Sequence, residues 1–158
     1  MPVSTSWACR KSKRAKVHGL APTLDDIETI ARAALKRLPD PFAGYLRDVV
    51  LIVEDFPSEE MLGELGIEDP FELTGLYTGR PAELEAVTGD LPAMIHLFRR
   101  PILDEWIASV EYDEAGRLKS AGVTLEDLVS HVLIHEAGHH FGLSDDDMEW
   151  LETELKKG

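Results

Sequence analysis

The densest group of reactive side chains runs from His135 to Asp145, as His135-Glu136-Ala137-Gly138-His139-His140-Phe141-Gly142-Leu143-Ser144-Asp145. Residues four apart on a helix share a face, so His135 and His139 can present two imidazoles to one metal ion. Glu136 follows by one residue, about 100° around the helix. Its carboxylate then lies beside the metal, where a base must sit to take a proton from metal-bound water. Gly142 allows a sharp turn at no steric cost. Asp145, three residues further, can swing back as an oxygen ligand, with Asp146 or another acid as the alternative third ligand. Ser144 and Asp147 also read as a capping box that starts the next helix. Two imidazoles and one carboxylate leave a position open, which is the form of a catalytic zinc site rather than a closed structural one.

The other histidines carry weaker signals. His131 precedes His135 by one turn and pairs with it at the same spacing, but Val132 follows it, which leaves that pair without a base. His140, about 140° from His135, is expected to touch the core or the surroundings of the ligands. His96 either faces substrate from a strand or is solvated. Trp7, Trp106 and Trp150 read as packing or tail residues.

These side chains need a helix to hold them. Thr124 with Asp127 forms a capping box that opens a helix through Phe141, ended by Gly142. A last helix follows from about Asp145 to Lys157, with acids at its start, lysines at its end and Met148, Leu151 and Leu155 on one face. Upstream, Thr23 and Asp26 open a helix whose Ile27, Ile30, Ala31, Ala34, Leu35 and Leu38 recur at helical spacing; Pro39-Asp40-Pro41 stops it. Asp48 to Glu54 reads as a buried strand, and Pro57 to Glu60 starts a short helix ending near Gly63 or Gly66. Leu73 to Thr78 and Ala93 to Phe98 are strand candidates. Arg99-Arg100-Pro101 after the second suggests a sheet edge. A helix carries Ile102, Trp106, Ile107 and Val110, and Gly116 to Gly122 reads as a loop. The order α-β-α-β-β-α-α-α predicts an α+β domain with a small mixed sheet.

The whole chain has 158 residues, suited to one domain, and 44% hydrophobic residues, enough for a core. A single cysteine, Cys9, excludes an internal disulfide framework, a four-cysteine zinc site and an iron–sulfur cluster. Asparagine and glutamine are absent, which excludes N-glycosylation and a Cys–His–Asn triad. The longest aliphatic run, Val49 to Val53, is too short to span a membrane. The net charge is −14, yet all five cations before residue 24 (Arg10, Lys11, Lys13, Arg14, Lys16) precede the first acid, Asp25. Residues 1–22 are therefore expected to form a basic, disordered tail, and residues 23–158 the domain. So acidic a body repels phosphate backbones, and no nucleic acid is expected as a partner. No apolar segment follows the basic residues, so the cytoplasm is the expected compartment.

The run HEAGHHFGLSDD and the L-x-x-x-V-x-I-H-E helix before it resemble the minimal zincins, small bacterial zinc metallopeptidases with an H-E-x-x-H-x-x-G-x-x-D motif. Asp69-Pro70-Phe71, Leu76-Tyr77-Thr78-Gly79 and Ile95 to Ile102 are similar too, and the resemblance covers roughly Val49 to Leu155. It implies a zincin-like fold with the metal-binding helix packed under a small sheet and a cleft along an edge strand. It also implies His135, His139 and Asp145 as ligands of one zinc ion per chain, with Glu136 as base. Larger metzincins place a methionine turn well downstream of the third ligand. Here a methionine beneath the metal must be Met148 in another geometry, or Met61 or Met94.

The expected activity is zinc-dependent hydrolysis of a peptide or protein substrate, paired along the edge strand near Met94 to Phe98. Two other classes remain open: a zincin scaffold that binds without turnover, and a metal-dependent RNA-processing hydrolase. Glu136 argues against the first. The second expects a third histidine where Asp145 stands and conflicts with the acidic body.

Overall fold

The computed structural model describes residues 19–40, 42–79 and 93–157, apart from the side chains of Tyr45 and His140. The tail expected at 1–22 lies almost entirely outside these residues, as do Trp7 and the contacts foreseen for His140. The described elements are α1 (Leu24–Arg37), α2 (Phe42–Tyr45), β1 (Val50–Glu54), α3 (Glu59–Leu65), a 3₁₀ turn (Pro70–Glu72), β2 (Gly75–Thr78), β3 (Met94–Phe98), α4 (Arg99–Ala108), β4 (Glu111–Tyr112), β5 (Leu118–Ser120), α5 (Leu125–Phe141) and α6 (Asp145–Lys157). The architecture is the expected α+β class.

Local chemistry starts most of these elements where the sequence predicts. Thr23 and Asp26 close a reciprocal capping box on α1. Ser144 and Asp147 exchange the same bonds at α6, with Ser144 N donating to Asp147 Oδ2 and Asp147 N to Ser144 Oγ, each at 3.2 Å. Thr124 Oγ1 accepts from Asp127 N on α5. That helix ends at Gly142, whose φ of 60° is left-handed and therefore suits glycine.

The three-stranded sheet has the order β1-β3-β2. β1 runs parallel to β3, pairing Val50 with Met94 through Glu54 with Phe98, and β2 runs antiparallel on the other side, pairing Gly75 with Leu97 through Thr78 with Met94. This corrects the edge position expected for Ala93 to Phe98. β3 is central, as four consecutive buried residues from Ile95 to Phe98 require. Arg99-Arg100-Pro101 does not guard an edge; it forms the first turn of α4, where a proline costs no helical hydrogen bond. Arg99 is anchored there, donating to the Pro22 carbonyl and, at 2.9 Å, to Asp55 Oδ1. The loop expected at 116–122 instead contains β5, paired antiparallel with β4 in a small exposed ribbon.

α5 lies at the centre and contacts β2, β3, α1, α4 and α6. Leu125, Leu128, Val129, Val132, Leu133, Ile134 and Ala137 are all buried on it. A helix apolar on most sides belongs in a core, and this one leaves only a narrow polar strip for its histidines. No helix among the described residues is long and apolar enough to cross a membrane.

Candidate metal and active site

α5 supplies His131, His135, Glu136 and His139, and α6 supplies Asp145 and Glu152. The two helices are locked by Met148, which is buried and lies against Gly138 so closely that a β-carbon there would meet its Sδ at 2.3 Å. Met148 is thus the methionine beside the histidine helix, and it acts as the wedge between α5 and α6.

Glu136 points to the sheet, away from α6. Its Oε2 accepts a hydrogen bond from the Tyr77 backbone N–H on β2 at 2.7 Å. Burial raises the carboxyl pKa above the usual glutamate value, opposed by the Tyr77 amide and by the charge of His139. The contact is possible because residue 75 is glycine. A β-carbon there would lie 2.7 Å from Val132 Cγ1, 3.1 Å from Glu136 Cγ and 3.2 Å from the His96 carbonyl oxygen. Among the described residues β2 is an edge strand, so the base stands against that edge of the sheet.

His135 is partly buried, and that burial is the main reason its pKa falls below the ordinary histidine value. The charge of His131 and, less, that of His139 add to the fall, while Glu152 and Asp145 oppose it. His139 is exposed on the next turn, and Asp145 is exposed in the first turn of α6. The donor chemistry of this set fits zinc, with two imidazoles one turn apart and a carboxylate whose charge already acts on one of them.

The described residues bring a different trio closest together. Ligand atoms of His131, His135 and Glu152 all lie within 4.8 Å of one another. His131 Nδ1–H donates to Glu152 Oε1 at 2.7 Å, His135 Nε2 is 4.0 Å from the same oxygen, and the two imidazole centroids are 4.3 Å apart. His135, His139 and Asp145 are not drawn together to that distance. The motif does not reveal Glu152. The only sequence signal is the earlier His131/His135 spacing, and the carboxylate comes from the helix that packs alongside.

His96 is neither solvated nor open to substrate. It is 6% exposed in the central strand, with Nε2 3.3 Å from Thr78 Oγ1 and Nδ1 3.5 Å from a Glu54 carboxylate oxygen. Trp106 is partly buried, and its Nε1 donates to the Val123 carbonyl; Trp150 is exposed.

No curated protein matches the chain significantly. The model of one family, described as zincin-like metallopeptidase, matches residues 46–155. That span holds the whole sheet, α5 with its H-E-x-x-H, and nearly all of α6. The chain therefore belongs to the zincin-like metallopeptidase family.

Proposed function

We propose that this protein is a zinc-dependent peptidase in which His135, His139 and Asp145 hold one metal ion and Glu136 is the general base. The observation that carries the reading is the position of the Glu136 carboxylate, half-buried against the edge strand by the Tyr77 amide. A bound zinc ion supplies a Lewis acid that polarises a scissile carbonyl and brings the pKa of water to about 7. The rest falls to the chain. With Oε2 held by Tyr77, Oε1 takes the proton as water oxygen bonds to the carbonyl carbon. The same carboxyl then gives that proton to the departing amine as the C–N bond breaks.

The peptide would lie along β2 rather than β3. Phe98 N donates to Thr74 O, so in an antiparallel ladder the backbone groups of Leu76 face β3 while those of Gly75 face the outer edge, the side on which the Tyr77 N–H is already given to Glu136. An extended substrate pairing with Gly75 there would pass beside the Glu136 carboxylate.

Glu136→Gln tests the reading, because it keeps the shape and removes the basicity. Zinc content by elemental analysis and the melting temperature should stay close to those of the parent. Hydrolysis of a casein-derived peptide mixture should fall at least ~10²-fold, the scale of a lost general base. Unchanged hydrolysis overturns the assignment of the base. Loss of zinc makes Glu136 a ligand and overturns the geometry argued here.

A further inference from the structure

The geometry points to a second divalent-cation site formed by His131, His135 and Glu152, which competes with the motif's own ligand set for His135 and holds its ion out of reach of the base. The competition rests on the assignment of His135, His139 and Asp145 proposed above; the binding itself does not.

The donor set is nitrogen, nitrogen and oxygen, which suits zinc and neighbouring transition metals. His131 and His135 present their rings from successive turns of α5, and Glu152 meets them from α6. Two helices locked by Met148 against Gly138 therefore position all three donors before any ion arrives. A cavity of about 280 Å³ opens beside His131 and Glu152, with Glu105 and Asp127 also on its wall. It gives an ion a route in and room for a water at a fourth position. Its wall also carries Lys156, which opposes a cation, so the site is suited by its donors rather than by bulk charge. The His131 proton now shared with Glu152 must leave when an ion binds, as it does whenever a histidine becomes a ligand.

Such an ion has no base beside it. The residue after His131 is Val132, which is buried and packs towards Gly75. Glu136 is held on the other side of α5 by Tyr77. On a helix, Glu136 lies about 60° from His139 but about 140° from His131. Moving an ion from the His135/His139 pair to the His131/His135 pair takes it one turn along α5 and away from Glu136. One imidazole cannot serve both positions through the same nitrogen. Occupancy of the His131 site therefore empties the other, and the ratio of the two affinities sets the share of chains that hold the ion beside the base.

Isothermal titration of the chelator-stripped full chain with zinc chloride tests this, using five proteins: the parent, Glu152→Gln, the double variant His139→Ala/Asp145→Asn, and two triple variants that add Glu152→Gln or His131→Ala to the double; the triple variant below is the one with Glu152→Gln. Glu152 is partly exposed and glutamine keeps its shape, while far-ultraviolet circular dichroism confirms folding. The parent should bind one zinc per chain. The double variant should still bind one, and the triple variant should bind at least about 100-fold more weakly than the double, beyond the usual effect of an outer partner. His131→Ala in the double background should give the same loss. Equal affinity of double and triple variants overturns the proposal. A double variant that binds no zinc, with Glu152→Gln binding like the parent, overturns it too and leaves the motif assignment standing. A double variant that binds like the parent, with no binding by Glu152→Gln, upholds the new site and overturns the motif ligands instead.

Discussion

At the scale of single residues, Glu136 and Gly75 act as one unit. The carboxylate reaches the Tyr77 amide only because β2 lies almost on α5, and β2 lies there only because residue 75 has no side chain. Gly75→Ala forces a methyl group against Val132 Cγ1 and backbone oxygen 96. We expect a loss of about 1–3 kcal/mol in denaturant-induced unfolding, the range for overpacking a filled site. Activity should fall further than stability explains, because the strand that orients the base is pushed off it. The pairing Gly75–Glu136 is not legible in the sequence. Gly75 appears there only as an interruption in a short strand, and the neighbours that demand it, Val132 and Glu136, are 57 and 61 positions away.

Between elements, the α5–α6 contact depends on the pair Gly138 and Met148. Gly138→Ala places a methyl group on the Met148 sulfur, and Met148→Ala removes a buried side chain. Each is expected to destabilise, the first by about 1–3 kcal/mol and the second by about 2–5 kcal/mol. The double variant should cost less than the two together, because the alanine methyl then fills part of the vacated space; an additive result in chemical denaturation would show that the two do not share a contact. The caps are more local. Thr23→Ala removes the hydroxyl that accepts from Asp26 N, and about 1 kcal/mol of stability at neutral pH should go with it. The backbone N–H and the hydroxyl of Thr23 also hold Asp26 below its usual pKa. A depressed carboxyl contributes stability that is present above the unfolded value of 3.8 and lost as pH falls through the folded value. Acid titration of Asp26→Ala, followed by circular dichroism, should therefore show a shallower loss below pH 3.8 than the parent.

Across the whole molecule, what the sequence determines is what depends on near neighbours. The caps at Thr23, Thr124 and Ser144, the glycine end of α5, the spacing that puts His131, His135 and His139 on one strip, and the α+β class all follow from groups within about one helical turn of each other. The H-E-x-x-H of α5 belongs to this class, which is why the family is visible in the residues alone. What only the tertiary structure decides is which strand is flanked on both sides and which helix faces which. Met94–Phe98 and Gly75–Thr78 are both short apolar strands, and their local patterns do not say that β3 is central and β2 an edge. That order depends on pairing between segments far apart in the chain, where register is set by burial on both faces of the assembled sheet. The same holds for the acidic residues. Asp145 is tied to the motif by a three-residue offset from Gly142, whereas Glu152 reaches His131 and His135 only because α6 packs against α5 through Met148, Leu151 and Leu155. Periodicity places a side chain on a face, but packing decides what that face meets.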